Sequence, residues 1–488
     1  MLLLRRADRV RSALPLRDRA VGLGAAVAVA VAGVLAPHTA GPVLLLAGLG
    51  GAVVILALVE PAAALLLLMT TAFLRSAIHE QALDVPLPGL LLLVAVAGLL
   101  VAVLRGRLAF PRLGAPEIAM GLYLAVNVAS WLSPHALAAL NPRGGPQSVP
   151  VLIVTGIAFP FTAYLLGRAG GGDPRVVSAF SWWVVAATAY SALIAVMQFH
   201  GLSAFVLPRS VVESPSWPDR AVGVFDQPVT NGVLFVVGLL LCLRLGGEAS
   251  RPRRERWIAH VVAVGAVYGI YLTHTRAVWL VTGLALLAAP LVSHAYRRGA
   301  AVILAVAVAG IVANWAAFTG TDRAAGGVGT TSEIDDRLNI IATAVRAVGS
   351  EPLLGWGIGR FPQVNTLYHE QWSTAVDWRR GFGIASHETE LAVVVELGVL
   401  GLLLWIAVLV LILRRVLAAR RGPTRATADT ALLAVLVVIV VGFTVDIRFL
   451  DFAWTLAFLL AGLAVGPGRP RPEPIAPRLE RIRIGAPR

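Results

Sequence analysis

Long apolar runs alternate with short polar connections through most of the 488-residue chain. Runs of about 17 to 25 residues cross a ~30 Å hydrocarbon core as helices. The pattern predicts an all-α, polytopic membrane protein with about fourteen transmembrane helices, twelve at the fewest. The fourteen runs lie near residues 20–37, 41–59, 61–74, 88–104, 117–133, 149–167, 176–198, 228–246, 257–274, 277–294, 299–318, 389–413, 430–446 and 452–466.

The run near 61–74 is the shortest of them. A single helix over residues 41–74 would be about 51 Å long at 1.5 Å per residue, which is too long for one crossing. Glu60-Pro61 in its middle supplies a break. We therefore predict two spans here and leave open whether 61–74 crosses fully.

One polar connection, residues 319–388, is much longer than the others, and long connections between short loops usually carry structure and function. Within it, the stretch SEIDDRLNIIATAVRAVGSEP predicts an amphipathic helix with Ser332 as its N-cap that ends before Pro352. We expect this helix to lie on the outer membrane surface or to cap the bundle. Its apolar face consists of Ile334, Leu338, Ile341, Val345 and Val348.

Composition and charge support the membrane class. Hydrophobic residues make up 58% of the chain, charged residues 14%, and the mean hydropathy is +0.79. A net charge of +14 would suggest a nucleic-acid partner in a soluble chain. With the N-terminus inside, however, 29 of the 41 arginines and 10 of the 27 acids fall on the cytoplasmic side. This positive-inside asymmetry explains the charge without nucleic acid.

The spans and charges divide the chain into five parts. We predict that both termini are cytoplasmic and that the long connection is extracytoplasmic. The parts are a cytoplasmic N-terminal tail (1–19), a transmembrane bundle of spans 1 to 11 (20–318), the extracytoplasmic catalytic loop (319–388), spans 12 to 14 (389–466) and a basic cytoplasmic C-terminal tail (467–488).

Polar residues at the outer ends of the spans are the candidates for chemistry. Arg220 lies just before the eighth span, His274 and Arg276 lie in the hairpin between the ninth and tenth, and His387 precedes the twelfth. Such groups are costly at this depth unless they face a partner or a water-filled cavity. An arginine here also fits a snorkelling anchor, and a lone histidine fits a structural role. Both alternatives stay open.

Other stretches that could suggest a metal site or a disulfide do not meet the requirements for one. HETEL starts like a zinc-protease helix, but Leu391 stands where the second histidine is required. The acids Glu333, Asp335 and Asp336 occupy a first helical turn, where the helix dipole explains them. The single cysteine, Cys242, forms no intrachain disulfide. We therefore predict neither a metal nor another cofactor.

Four motifs in order resemble the bacterial O-antigen ligase and O-antigen polymerase superfamily. They are DRAVGVFDQPVTNG, THTRAVWL, RLNIIATAVRAVGSEPLLGWGIGRF and SHETELAVVVELGVLGLLLW, and they cover about residues 218–405. The resemblance implies an inverting, metal-independent glycosyltransferase of the GT-C type in the cytoplasmic membrane of a bacterium. It implies transfer from an undecaprenyl-type polyprenyl diphosphate donor to a hydroxyl of a glycan or lipid acceptor, outside the membrane, during assembly of cell-surface polysaccharide.

The resemblance also assigns roles. His387 would be the catalytic histidine, and Arg220 and Arg276 would hold the donor diphosphate. The family usually has asparagine after the histidine, where this chain has Glu388.

The residue types agree with these roles, because guanidinium forks suit phosphate and an imidazole suits a general base at neutral pH. Glu388 or Glu390 would orient the imidazole or balance its charge. His274 and Arg337 are further supporting candidates.

Competing functions remain. Ligase and polymerase are not distinguished by the sequence, and a polytopic transporter or flippase of lipid-linked glycan is the rival from another class, with a noncatalytic membrane scaffold as a third. Transporters tend to show paired halves with charges near the midplane, whereas the polar residues here cluster at the outer ends of spans.

Overall fold

The computed structural model describes residues 60–466 except 75–86, 106–111, 142–143, 208, 214–216, 218 and 323–325, together with residue 51. This part of the chain is helical, and its strand-like pairing is limited to an isolated bridge between Leu140 and Pro146. The all-α prediction is confirmed for these residues. The α-helices are α1 (Pro61–Leu74), α2 (Leu87–Leu104), α3 (Ala115–Leu132), α4 (Val149–Ile153), α5 (Phe159–Gly170), α6 (Pro174–Phe199), α7 (Ser210–Glu213), α8 (Pro228–Gly247), α9 (Arg253–Leu272), α10 (Arg276–Val292), α11 (Arg297–Ala313), α12 (Trp315–Thr319), α13 (Ser332–Ser350), α14 (Phe361–Leu367), α15 (Thr389–Ala419), α16 (Arg425–Gly442) and α17 (Asp451–Val465).

Six described helical segments are long and apolar enough to cross a membrane, which confirms the membrane class. They are Val149–Gly170, Pro174–Phe199, Pro228–Gly247, His294–Ala313, Thr389–Ala419 and Arg425–Gly442. Three shorter helices, Ala62–Leu74, Arg276–Val292 and Asp451–Val465, are apolar as well. The total of about fourteen spans stays a prediction. The predicted spans 20–37 and, apart from residue 51, 41–59 lie outside the described residues, as do both terminal tails.

Helices α5 and α17 pack against each other through glycines. A Cβ atom added at Gly462 would lie 2.2 Å from the carbonyl oxygen of Tyr164, and one at Gly167 would meet the α17 backbone at 2.5 Å. One turn further on, Gly171 and Gly466 face the partner helix in the same way. Small residues four apart on both helices let the two backbones approach closely.

Replacing Gly462 by valine is expected to destabilise the protein by about 1–3 kcal/mol or more, because the added atoms meet backbone that has no room to move. Thermal unfolding of the purified protein in detergent measures the effect. Gly283→Val is the matched control, since nothing lies within 4 Å of a Cβ atom at that helical glycine. Equal melting temperatures for the two variants would contradict the close packing.

The long connection lies over one end of the bundle. Arg276, at the start of α10, donates a hydrogen bond of 2.9 Å to the carbonyl of Thr330. Arg337, on α13, donates one of 3.2 Å to the carbonyl of Thr444, just after α16. These contacts place α13 across the ends of α10 and α16, where the polar candidates lie.

The predicted helix of the long connection forms, but its start differs by one residue. Ser332 is the first helical residue of α13, and Thr331 is the N-cap. The prediction of Ser332 as N-cap is therefore wrong. Thr331 makes no side-chain capping bond, and Glu333 and Asp335 supply negative charge in the first turn instead.

Helix α13 buries a different face from its apolar stripe. Ile340, Ala344 and Ala347 pack against Phe361 and Val364 in a small core that belongs largely to the long connection. The stripe itself is largely exposed, and this fits the expectation that it meets the outer membrane surface. Its exposed members are Ile334, Leu338, Ile341 and Val345.

Helix α15 is broken at Gly398, although the sequence predicts one continuous span over 389–413. The backbone there has φ 66° and ψ −170°, which glycine tolerates readily. Backbone groups of residues 352–357 in the long connection replace the lost helical hydrogen bonds. Trp356 N and Gly357 N donate to the carbonyls of Val395 and Glu396 at 2.9 and 2.8 Å. The long connection is therefore hydrogen-bonded into the break.

Candidate active site

His387 occupies a tight turn immediately before α15. Its φ of 54° lies in the left-handed region, which is uncommon for a residue with a side chain and clusters at functional sites. Ser386 closes the turn, because its hydroxyl accepts a hydrogen bond of 3.2 Å from Glu388 N. Ser386 and Thr389 are buried, whereas the His387 side chain is exposed. The neighbours thus anchor the backbone and leave the imidazole open to solvent.

The surroundings of His387 favour its neutral form. Burial by the surrounding protein lowers the pKa of the imidazole below 6.5, and the positive charge of Arg337 lowers it further. The carboxylates of Asp336 and Asp446 oppose this shift without cancelling it. We refer to the surroundings of this exposed ring, formed by Arg337, Asp336 and Asp446, as the recess. A neutral imidazole in such a recess can accept a proton at neutral pH.

The two glutamates after His387 differ in their environment. Burial raises the pKa of the Glu388 carboxyl, and Arg337 opposes the shift. Glu388 therefore shares its charged neighbour with His387. Glu390 Oε1 lies near Gly442 of α16, and its Oε2 is buried without a hydrogen-bond partner among the described residues. Glu390 thus lies against α16.

Arg276 is the first residue of α10 and is held by the long connection. Its guanidinium donates to the carbonyl of Thr330 at 2.9 Å and to the hydroxyl of the same residue, and Glu333 Oε2 lies 3.7 Å away. The positive end of the helix dipole adds to the charge of the guanidinium, which makes this helix end attractive to anions.

His274 is buried and connects the hairpin before α10 to the segment that carries Arg220. Its Nδ1 donates to the carbonyl of Asp219 at 2.6 Å, and Ala221 N donates to the carbonyl of Leu272 at 2.8 Å. The backbone of Arg220 is therefore held between two bonds to this hairpin. His274 has φ 43°, so the turn depends on a strained conformation. Its placement is that of a scaffold for Arg220.

The Arg220 side chain stacks on a neighbouring aromatic ring. Its guanidinium carbon lies 4.7 Å from the centre of the Trp217 ring, a cation–π arrangement. Gln198 of α6 donates to the Arg220 carbonyl at 3.1 Å, which adds a third anchor for this backbone. The structure thus holds Arg220 beside the turn that leads into Arg276.

Helix α13 joins the arginine end of the site to the histidine end. Glu333 faces Arg276, and Arg337, four residues later on the same side of the helix, acts on His387 and Glu388. The structure therefore brings Arg276, Arg337, His387 and Glu388 together along one helix, and the hairpin contacts add Arg220 beside them.

Family comparison identifies this part of the chain. Residues 261–406 match the family model described as O-antigen ligase. This region, less than a third of the chain, is similar to that family. The resemblance to the O-antigen ligase and polymerase superfamily is confirmed. No curated protein matches the chain. All the candidate residues except Arg220 fall inside the matched region, and Arg220 falls before it.

The sequence pattern did not reveal that three buried charged residues pair with one another beneath the recess. Arg448 donates to Glu396 Oε2 at 2.7 Å and to Asp446 Oδ2 at 2.6 Å, and all three side chains are at most 5% exposed. Glu396 Oε1 also accepts from Phe361 N at 3.1 Å. The signal in the sequence is the interruption of apolar runs by charges, which is costly in a membrane unless the charges pair.

This buried ion network ties three parts of the site together. Glu396 lies beside the break in α15, Phe361 begins α14 of the long connection, and Asp446 follows α16. Asp446 is also among the carboxylates that act on His387. The network therefore sets the position of the long connection relative to the helices that present His387.

Metal-binding chemistry has no obvious location in the described residues. They contain no group of three or more His, Cys, Asp or Glu side chains that could hold an ion. Asp335, one of the acids of the first turn of α13, accepts from the hydroxyl of Ser373 at 2.8 Å. Metal independence of the reaction stays a prediction.

Proposed function

We propose that the protein is a membrane glycosyltransferase that transfers a glycan from a polyprenyl diphosphate to a hydroxyl acceptor on the outer face of the cytoplasmic membrane. Its similarity to the O-antigen ligase family over residues 261–406 and its apolar helices support this class. The polarity of the candidate site supports the same substrate, because cationic and proton-accepting groups lie together at the ends of apolar helices.

One observation carries the proposal: α13 spans from Arg276 to His387. The Arg276 side of the site offers a guanidinium at a helix N-terminus, which suits a diphosphate. The other end offers an imidazole whose pKa is lowered by burial and by Arg337. Leaving-group stabilisation and proton acceptance are the two functions that this transfer requires.

The reaction follows from these positions. The acceptor oxygen bonds to the anomeric carbon of the donor while the bond from that carbon to the diphosphate oxygen breaks. Attack from the face opposite the leaving group inverts the anomeric configuration. The acceptor proton passes to the His387 imidazole, and the polyprenyl diphosphate leaves with the electron pair and is stabilised by Arg220 and Arg276.

Analysis of lipid-linked glycans tests the proposed function. Cells that lack the protein should accumulate the polyprenyl-diphosphate glycan, and purified full-length protein should consume that lipid and release polyprenyl diphosphate in the presence of excess chelator. A glycan that joins another lipid-linked copy of itself identifies a polymerase; a glycan that joins a different acceptor identifies a ligase. Unchanged lipid-linked glycan on the outer face of such cells refutes the transfer, and accumulation confined to the inner face indicates a flippase.

Arg276→Ala is expected to weaken donor binding by at least 10-fold, because a charge-assisted contact to the diphosphate is lost. Arg276→Lys should recover part of the loss, since lysine keeps the charge but not the fork. Donor binding to purified variants measures both. Arg346→Ala is the control, because Arg346 pairs only at the surface with Glu370 at 2.8 Å. A snorkelling anchor would instead be fully restored by lysine.

Thiol labelling tests the orientation. A cysteine at Arg346, whose side chain is 60% exposed on α13 outside the apolar stripe, should react with a membrane-impermeant reagent in intact spheroplasts. A cysteine at Arg298, at the start of α11, should react only after permeabilisation, because positive-inside sorting places that end in the cytoplasm. The native Cys242 is buried and should stay silent in both. The reverse labelling pattern would contradict an extracytoplasmic site.

A further inference from the structure

The long connection contains an open cleft outside the recess of His387. Residues 366–382 enclose about 1020 Å³ between α14 and the helical turn Trp378–Gly381. The volume is at the upper end of small-molecule sites, so the cleft suits a ligand of several rings.

Aromatic rings form one wall of the cleft. The ring centres of Trp378 and Phe382 are 4.9 Å apart in an edge-to-face arrangement, and the His369 ring lies 5.5 Å from Phe382. Trp378 remains 53% exposed. A large ring that stays open to solvent in this wall presents a flat apolar face that the fold itself does not cover.

Hydrogen-bonding side chains form the rest of the lining. Asp377 and Arg379, one acidic and one basic, flank Trp378 and are both exposed. Gln371 is fixed by a bond of 2.9 Å from its amide nitrogen to the carbonyl of Val376. The amide group of Gln371 is already bonded to Ser373, Val376 and His369, so Asp377 and Arg379 supply the exposed acceptor and donor groups around the rings. This lining does not suit a lipid chain, which would leave the polar groups unpaired, or a simple anion, which Asp377 would repel.

The lining has the chemistry that a sugar chain needs. The C–H faces of pyranose rings are apolar and stack on aromatic rings, while their hydroxyl groups both donate and accept hydrogen bonds to amide, carboxylate and guanidinium groups. The cleft wall is close to His387 along the chain. Phe382 is five residues before His387, and Gly383 N donates to Thr366 Oγ1 at 2.8 Å, which joins the cleft wall to α14.

We propose that this cleft is an oligosaccharide-binding site that holds one of the two glycans near His387, with Trp378 as the stacking platform. The choice of an oligosaccharide as ligand rests on the proposed function. The lining chemistry is shared by the donor glycan and by a glycan acceptor, so the test separates these two sources.

The test measures retention of natural oligosaccharides by immobilised full-length protein in detergent. Two probes are used: glycan released by mild acid from the polyprenyl-lipid extract, and oligosaccharides released from the remaining cell envelope. Wild type should retain at least one of the two, and Trp378→Ala should reduce that retention by about 10- to 30-fold, as truncation of a central aromatic anchor does. The retained pool identifies the donor or the acceptor.

Matched variants separate binding from folding. Trp372→Ala removes an aromatic ring from the same connection that is 72% exposed and does not line the cleft, so its retention should stay within about two-fold of wild type. Trp378→Phe should restore most of the binding, because it keeps a stacking face. Retention of neither pool by folded wild type, or equal retention by Trp378→Ala and Trp372→Ala, would overturn the proposal.

The same measurement distinguishes this proposal from the proposed function. His387→Ala should retain the oligosaccharide normally while transfer is lost. If retention depends on Trp378 but wild type shows no transfer from polyprenyl diphosphate, the binding site stands and the transferase assignment fails. If Trp378→Ala transfers glycan at the normal rate with normal KM values for donor and acceptor, the transferase assignment stands and the proposed binding site fails.

Discussion

His387→Ala is expected to lower turnover by about 10²- to 10⁴-fold, the usual contribution of a general base. Binding of the polyprenyl-diphosphate donor should change little, because the proposed diphosphate contacts, Arg220 and Arg276, are unchanged in this variant. Turnover and donor binding are measured on the same purified protein, normalised to the folded fraction. This separation of chemistry from binding is the signature of a group that acts on the acceptor proton.

His294→Ala is the matched control. His294 is an exposed histidine in a helical turn between α10 and α11, away from the long connection. The His294→Ala variant should have a turnover close to that of wild type. If His387→Ala retained near-normal turnover, the histidine would have no role in the chemistry. If the variant lost folded protein but its folded fraction kept normal turnover, the histidine would be structural.

The pH dependence of turnover provides a second readout of His387. Its pKa lies below 6.5 through burial and Arg337, so wild type should stay active at pH values slightly below 6.5 before protonation removes the base. Arg337→Gln removes a positive charge, raises the pKa and should move the acid limb upward. Asp336→Asn removes a negative charge and should move it downward. Shifts in the same direction would contradict this electrostatic arrangement.

Arg448→Leu is expected to destabilise the protein by about 3–5 kcal/mol, because it leaves two buried carboxylates without their cation. Glu396 and Asp446 are both almost fully buried. Thermal unfolding in detergent and the yield of folded protein measure the effect. The long connection should loosen first, since Glu396 also binds Phe361 N.

Two further variants compare the stability contribution of this buried ion network with that of an exposed ion pair. Glu396→Gln should cost less than Arg448→Leu, because Arg448 keeps Asp446 and glutamine still accepts from Phe361 N. Arg346→Leu breaks a pair whose side chains are 60% and 50% exposed, and it should cost under about 1 kcal/mol. An Arg448→Leu variant that melts like Arg346→Leu would show that the network contributes nothing to the fold.

The hydropathy pattern located the described helices to within a few residues. The run at 176–198 became α6, Pro174–Phe199, and the run at 228–246 became α8, Pro228–Gly247. This works because a membrane requires every spanning backbone to bond within its own helix, so an apolar run of sufficient length has few alternatives. The ends of the runs also placed Arg276 and His387 at helix starts, as the structure has them.

The face that α13 buries was decided by the tertiary structure. Its apolar residues make the stronger stripe, but the small side chains of Ala344 and Ala347 allow close approach to the Phe361 core. Asn339 Oδ1 and Thr343 Oγ1 on the same side accept from Ser373 N and Glu370 N at 2.7 and 2.9 Å. Periodicity reports where apolar atoms lie along a helix, not which partner surface has the matching shape and hydrogen-bonding groups.

The sequence by itself determined the membrane class, the helix positions and the polar residues at their ends, because these depend on runs of neighbours along the chain. Only the tertiary structure decided the break of α15 at Gly398 and the pairing of Arg448 with Glu396 and Asp446. The break requires backbone groups from residues 352–357, and the ion network joins residues about 50 positions apart. Such contacts depend on which distant segments meet, and no local pattern of apolar and polar positions specifies that.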